Sequence, residues 1–376
     1  MISYAGDQVA AIALVLLISS DHPAKAVGGL LLAESLPALL STHVSVLADR
    51  FETRRLMINC QLLQGAIFAV ITVWLPPYGL LLALLVVASF AGTLLRSATQ
   101  VAVQSTVPDE QLMSANAMLG TVLYSAVILG PAIGGALAAL AGPQLALAVD
   151  TATFLISAAT LLRVPRLPRG RGDEETDTGG ATAALRFMFG DPVLRALLLS
   201  MTMMVAFAGV DNVALVFLIR DTLGGGSAAY GTAMAVFGVG MVSAGLFIVR
   251  NPQWRPERLL LVSFSLTATC AAALSVARSL ALIYPAQLAG GVGNGFDVAA
   301  QTTLVQRRSP PSMLGRMSGA FSSAIAVGFL FAYLGGGALV DATSPRTAFA
   351  VAAAGTVGAI FVARPVWRAA PTPGAT

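Results

Sequence analysis

The chain has 376 residues, of which 56% are apolar and only 11% charged, and its mean hydropathy is +0.80. Soluble domains carry about 25% charge, so a soluble chain of this length could not cover its own surface with polar groups. The 37 glycines and 19 prolines sit inside apolar runs, which excludes a disordered chain. What remains is a polytopic membrane protein. Net charge +4 and a pI of 9.4 do not point to nucleic acid. The arginines cluster in short loops between apolar segments, without interleaved aromatics, and that is membrane topology.

A membrane span needs roughly 20 mostly apolar residues. Runs of that kind predict spans at 1–20, 25–48, 56–76, 79–104, 112–140 and 142–164, then at 192–220, 227–250, 257–277, 279–306, 313–340 and 344–366. The first is not expected to be a secretory signal, since 1–20 shows no basic n-region and no small-residue cleavage site and contains Gly6, Asp7 and Gln8. The fold class is therefore all-α, with twelve transmembrane helices in two sets of six. The N-terminal bundle is assigned to 1–164, a cytoplasmic linker to 165–191, the C-terminal bundle to 192–366 and a cytoplasmic tail to 367–376. The linker's core, RLPRGRGDEETDTGG, has no apolar period and reads as flexible. Residues 181–190 are expected along the inner membrane surface.

Orientation follows from the basic residues. With both termini cytoplasmic, the inner loops and flanks hold Arg50, Arg54, Arg55, Arg163, Arg166, Arg169, Arg171, Arg186, Arg195, Arg250, Arg255, Arg258, Arg307, Arg308, Arg316, Arg364 and Arg368. The outer loops hold Lys25, Arg220, Arg278 and Arg346. Seventeen against four is a strong positive-inside bias, and it supports an even span count.

The two halves are copies. A shift of 202 residues places Gln104, Pro108 and Leu112 on Gln306, Pro310 and Leu314. The same shift places Gly134-Gly135-Ala136-Leu137 on Gly336-Gly337-Ala338-Leu339, and Pro143 on Pro345. A shift of 204 matches Asp7-Gln8-Val9-Ala10 to Asp211-Asn212-Val213-Ala214. Parallel six-helix repeats read as two bundles related by an axis along the membrane normal. Such bundles can rock around a site near the midplane, which makes an alternating-access carrier the leading expectation.

Ser45-Val46-Leu47-Ala48-Asp49-Arg50-Phe51-Glu52-Thr53-Arg54-Arg55, in the loop between the second and third spans, resembles the G-x-L-A-D-R-x-G-R-R signature of the major facilitator superfamily. Ser45 stands where that family has glycine, and Asn251 stands opposite Asp49 in the second half. The resemblance implies the major facilitator fold and a conformational latch at Asp49, Arg50, Arg54 and Arg55. Gly130-Pro131-Ala132-Ile133-Gly134-Gly135 resembles the G-P-x-x-G-G motif of the superfamily's exporters, with Ala126 replacing an earlier glycine. In it Pro131 kinks the span, and Gly134 and Gly135 admit a close neighbour. The second half keeps the glycines but has Tyr333 opposite Pro131.

Two stretches narrow the branch. Arg96 through Glu110 and Asp150-Thr151-Ala152-Thr153-Phe154-Leu155 resemble twelve-helix drug and siderophore exporters, the group of macrolide efflux carriers and enterobactin exporters. Ser97 and Thr99 depart from that pattern. Members of the family carry a basic arm and some ten more residues before their first span, so a misassigned start is expected here.

Six ionisable residues fall inside spans: Asp7, Glu34, Arg96, Asp150, Asp211 and Asp297. Each costs roughly 2.5–3.5 kcal/mol near a helix centre on insertion scales, so they must face a bundle interior or a watery cavity. Asp7 and Asp211 occupy equivalent places and are the first candidates for proton coupling, with Arg96 and Glu34 beside them. The family resemblance supports Arg96, although an arginine at that depth can also snorkel inward. Asp150 is expected to be structural, and Asp297 to serve packing or substrate. Gln100, Asn212, Asp297, Phe207, Phe296 and Phe321 are candidate substrate-cavity residues.

No G-x-x-x-x-G-K-[ST] loop, no His/Cys/acid cluster around His22 or His43 and no G-x-S-x-G elbow is present. Cys60 and Cys270 read as small apolar filler. No enzymatic chemistry, cofactor or metal is expected. The partners are a small-molecule substrate, protons and the lipid bilayer, with no nucleic acid, and a monomer is expected in the plasma membrane. The function read from all this is proton-coupled efflux of amphipathic small molecules. Its rivals are a dedicated exporter of one siderophore or self-made metabolite, an importer, and a carrier-like protein that does not transport.

Overall fold

A computed structural model describes residues 2–39, 51–108, 140–165, 186–251, 253–309 and 314–368, with scattered positions between 111 and 138. Inside a bilayer each backbone N–H and C=O must be satisfied within the chain, and the helix does this locally. The helices are α1 (Ile2–Asp21), α2 (Ala24–Leu39), α3 (Thr53–Trp74), α4 (Tyr78–Thr106), α5 (Pro143–Leu161), α6 (Pro192–Ala208) and α7 (Asp211–Phe217). They continue with α8 (Ser227–Arg250), α9 (Pro256–Ser275), α10 (Leu280–Arg308), α11 (Leu314–Ala342), α12 (Pro345–Val362) and α13 (Arg364–Arg368).

Among the described residues, nine helices are long and apolar enough to cross a membrane. The other three expected spans also fall on helix. They are α2, the described positions between 119 and 141, and α10. Helix α10 has the length, 29 residues, but Gln287, Asn294, Asp297, Gln301 and a run of glycines lower its hydropathy.

Local chemistry sets the ends. Glu52 caps α3 by accepting from the Arg54 and Arg55 amides at 3.3 and 3.0 Å. Asp191 caps α6 by accepting from Val193 and Leu194 at 2.7 and 3.0 Å. Pro76-Pro77 stops α3, and Leu75 before them turns left-handed at φ 46.

The described chain divides into two compact units. The first is Met1–Glu174 with Gly225–Ala235, and the second is Glu175–Gly224 with Val236–Thr376. In the first, α1 packs on α2 and α5, α3 on α4 and α5, and α2 on α4. In the second, α9 packs on α10 and α12, and α6 on α11 and α12. The second unit's apolar core gathers Leu194, Leu197, Met201, Phe264, Leu304 and Met317.

Apolar burial does not drive helices together in lipid, so close approach of small residues carries the packing. Helix α10 meets α8 in this way. A Cβ on Gly240 would stand 2.8 Å from the Val292 amide, and one on Gly295 would stand 2.6 Å from Ala244 Cβ. The outward faces carry apolar side chains that need lipid: Val73 is 88% exposed and Val249 is 78% exposed. Trp74 ends α3, as an interfacial anchor does.

Candidate functional site

The intramembrane charges do not scatter. In the first unit, α1 supplies Asp7, α2 supplies Glu34 and α4 supplies Arg96. Asp7 interacts electrostatically with Arg96 and with Glu34, and both acids also bear on Asp150 of α5. The Arg96 guanidinium lies over the Tyr4 ring, 5.5 Å from its centroid, a cation–π contact one helical turn from Asp7. Arg96 and Gln100 are both exposed and four residues apart, so they share one face of α4. Bare lipid would penalise that face heavily, and water suits it. Asp7 and Glu34 are part-buried, whereas Asp150 is fully buried.

Asp211 is presented differently. The hydrogen-bond ladder of the expected span 192–220 breaks briefly while the backbone stays right-handed helical. Helix α6 ends at Ala208, Gly209 and Val210 keep φ -63 and -56, α7 begins at Asp211, and a π turn follows over Leu218–Thr222. Across the break the backbone uses tight i→i+3 bonds, Val210 N to Phe207 O and Asn212 N to Gly209 O. The Asn212 side-chain amide also donates to the Gly209 carbonyl, at 3.1 Å. Gln287 of α10, itself fully buried, donates from Nε2 to Asp211 Oδ1 at 3.1 Å and reaches Oδ2 at 3.4 Å. Asp297, one helical stretch further along α10, accepts from Ser263 of α9 at 3.4 Å.

The exporter-like glycines lie against α1 beside Asp7. A Cβ on Gly130 would overlap Gln8, and one on Gly134 would stand 2.6 Å from the Val9 carbonyl oxygen. The second unit repeats the arrangement next to Asp211: a Cβ on Gly336 would meet Val210 at 3.2 Å. There the small residue sits on the other helix: Ala332 occupies the place of Gly130, and a Cβ on Gly209 would stand only 2.9 Å from the Ala332 Cβ, too close to fit. Pro131 and Gly135 lie outside the described residues, as do Asp49 and Arg50 of the expected latch.

The rest of that loop works within the first unit. Arg54 donates from Nε to the Leu161 carbonyl at 3.0 Å, which also accepts from the Val164 amide, and from Nη2 to the Leu162 carbonyl at 2.7 Å, so it caps the end of α5. Arg55 points outward and pairs with Glu52 at 3.7 Å.

Of the other cavity candidates, Asn212 is exposed. Phe207 is part-buried where Gly355 makes room for its ring, and Phe296 and Phe321 belong to the second unit's apolar core. Sequence reasoning missed Gln287 as the partner of Asp211 and Gly6 as the seat of Asp150. It also missed the buried Gln61, whose amide donates to Ser3 at 2.9 Å. Their only signal in the sequence is a polar residue, or a glycine, inside an apolar run.

The Major Facilitator Superfamily profile matches residues 1–276 and 212–376. The MFS-type transporter YfiS of Bacillus subtilis (strain 168) is 26% identical over 336 residues, covering 86% of this chain and 80% of that one. The enterobactin exporter EntS of Salmonella typhimurium is 27% identical over 297 residues, covering 74% of this chain and 68% of that one. Among solved structures, the nucleoside transporter NupG superposes with a TM-score of 0.77 over 97% of this chain and 98% of its own, at 12% identity, which speaks for the fold. The chain thus belongs to the Major Facilitator Superfamily, as a multi-pass membrane transporter rather than an enzyme.

Proposed function

We propose that this transporter exports amphipathic small molecules from the cytoplasm in exchange for protons, by alternating access of two six-helix bundles, 1–164 and 192–366, joined by the linker 165–191. The observation that carries the reading is the gathering of Asp7, Glu34 and Arg96 from three helices of one unit. A cation beside several carboxylates on a watered face is a device for binding and releasing a proton. Asp211, held by Gln287 at a helix break, is the matching carboxylate of the second half. Gln100, Asn212 and Asp297 are the substrate contacts. Phe207, Phe296 and Phe321 support them from behind by packing. Asp49, Arg50, Arg54 and Arg55 form the latch, with Gly130, Pro131, Gly134 and Gly135 fixing the helix that leans on α1.

The protein works as a monomer in the plasma membrane with both termini cytoplasmic, the orientation the arginine bias favours. Efflux-deficient cells expressing the chain test the scheme against a panel of dyes, macrolides and catechol siderophores. Protonophore-sensitive loss of a compound is expected from the wild type and not from Asp7→Asn. A second reading, export of one dedicated siderophore or metabolite, is favoured by the likeness to an enterobactin exporter. It predicts activity on a single chemical class of the panel.

A further inference from the structure

We propose that Asp150 is a second proton-exchanging carboxylate of the first unit, working with Asp7 across the contact between α5 and α1. Asp150 enters the transport cycle only if the proton-coupled reading above holds.

The sequence suggests a structural aspartate, and its surroundings do not fit one. Asp150 is 0% exposed in the middle of a membrane helix. The Thr153 hydroxyl donates to Oδ1 at 3.2 Å, while Oδ2 has no hydrogen-bond partner among the described residues. A purely structural buried carboxylate would have both oxygens occupied, because a buried acceptor without a donor keeps its desolvation cost uncompensated. Its approach to α1 is equally specific. A Cβ on Gly6 would overlap both Asp150 Oδ1 and Thr153 Oγ1. The missing side chain at residue 6 is therefore what lets the carboxylate reach the α1 backbone, one residue from Asp7.

The charged groups bearing on Asp150 come from two helices, Asp7 of α1 and Glu34 of α2. Helix α3 also packs on α5. It carries no acid between Thr53 and Trp74, its cations Arg54 and Arg55 lie in its first turn, and its buried polar residues are Thr53, Gln61 and Gln64. The 112–140 stretch has no charged residue. Arg96 bears on Asp7. Three ionised carboxylates would outnumber the positive groups that bear on Asp7 (Arg96 and the chain's amino group) and leave negative charge uncompensated in the membrane. Acids that share a site in this way titrate as a set and not one by one. Asp7, part-buried, exchanges its proton with water, and Asp150, with no exposure of its own, exchanges its proton by way of Asp7; no other bond is made or broken, so a cycle can carry two protons through this unit.

Infrared difference spectroscopy of the full chain in lipid tests this without a substrate, by following the protonated-carboxyl stretch as pH is stepped from mildly acidic to mildly alkaline. The wild type should show overlapping bands. Asp150→Asn should remove about half of the amplitude contributed by the pair and shift the midpoint of what remains, because coupled sites report on each other. Thr153→Val keeps the carboxylate and removes its donor, so it should move the Asp150 band while leaving the Asp7 band, defined by Asp7→Asn, in place. A spectrum unchanged by both Asp150→Asn and Thr153→Val overturns the proposal even if the Asp7 band is present. Loss of pH dependence at both Asp7 and Asp150 overturns the proton-coupled reading along with it.

Discussion

Gln287 Nε2 lies 3.1 Å from Asp211 Oδ1, and this hydrogen bond ties α10 to the break between α6 and α7. The two repeat-related aspartates thereby meet different chemistry: Asp211 a neutral amide, Asp7 the positive charge of Arg96. Replacing Gln287 by Leu should strip Asp211 of its donor and lower stability by about 1–3 kcal/mol. Thermal unfolding of the purified protein reads this directly. Gln287→Asn keeps the amide on a shorter arm and should fall between Leu and the wild type.

The Arg96 guanidinium above the Tyr4 ring fixes a positive charge one turn from Asp7. Arg96→Gln should still let substrate equilibrate across the membrane but not accumulate against a gradient. Accumulation should fall about tenfold, the loss that goes with removing about 1.4 kcal/mol of differential stabilisation. Arg96→Lys should recover part of it, since the charge is kept and the planar stacking is not. Parallel measurements of counterflow and uphill transport separate the two effects.

Gly130 and Gly134 leave no room for a side chain against Gln8 and Val9. Gly134→Val should force α1 outward at a cost of about 1–3 kcal/mol, and with it displace Asp7 and reduce transport. Gly335 faces open space on its helix, so Gly335→Ala should be neutral or stabilising by about 0.5–1 kcal/mol. Thermal midpoints and efflux of the two variants, compared at equal membrane abundance, check the pair.

Arg54 closes the end of α5 through two carbonyls. Arg54→Leu should destabilise the first unit by about 1–3 kcal/mol. Arg55→Ala should cost little, because its side chain is 74% exposed and its ion pair with Glu52 is long. Limited proteolysis in detergent, following cleavage between α3 and α5, distinguishes them.

Much of this was legible in the sequence because membrane spans advertise themselves. Apolar runs gave the helices, and the charges inside them had nowhere to go but inward. The repeat paired Asp7 with Asp211 and Gly134 with Gly336 before any coordinates. What stayed hidden depends on distance along the chain. Arg54 meets carbonyls 107 and 108 residues away, and Gln287 meets Asp211 across 76 residues. Neither pairing leaves a local spacing. The break at Gly209 was hidden for another reason: the stretch from Pro192 to Thr222 reads as one long, predominantly apolar run. A glycine followed by Asp211-Asn212 was its sole mark. Phe296 and Phe321 read as cavity aromatics because they lie in spans expected to line it, and the fold packs both within the second unit's apolar core.

The central claim is that solute leaves as protons enter, and Asp7 is the group that links them. Its most direct test is proton movement in everted membrane vesicles carrying the full chain, energised by respiration and reporting the pH gradient through a fluorescent amine. Adding a compound identified by the efflux panel should collapse part of the gradient in wild-type vesicles and leave it intact with Asp7→Asn. Uptake of that compound into the vesicles with no proton movement, or equal movement in the wild type and Asp7→Asn, would contradict the account.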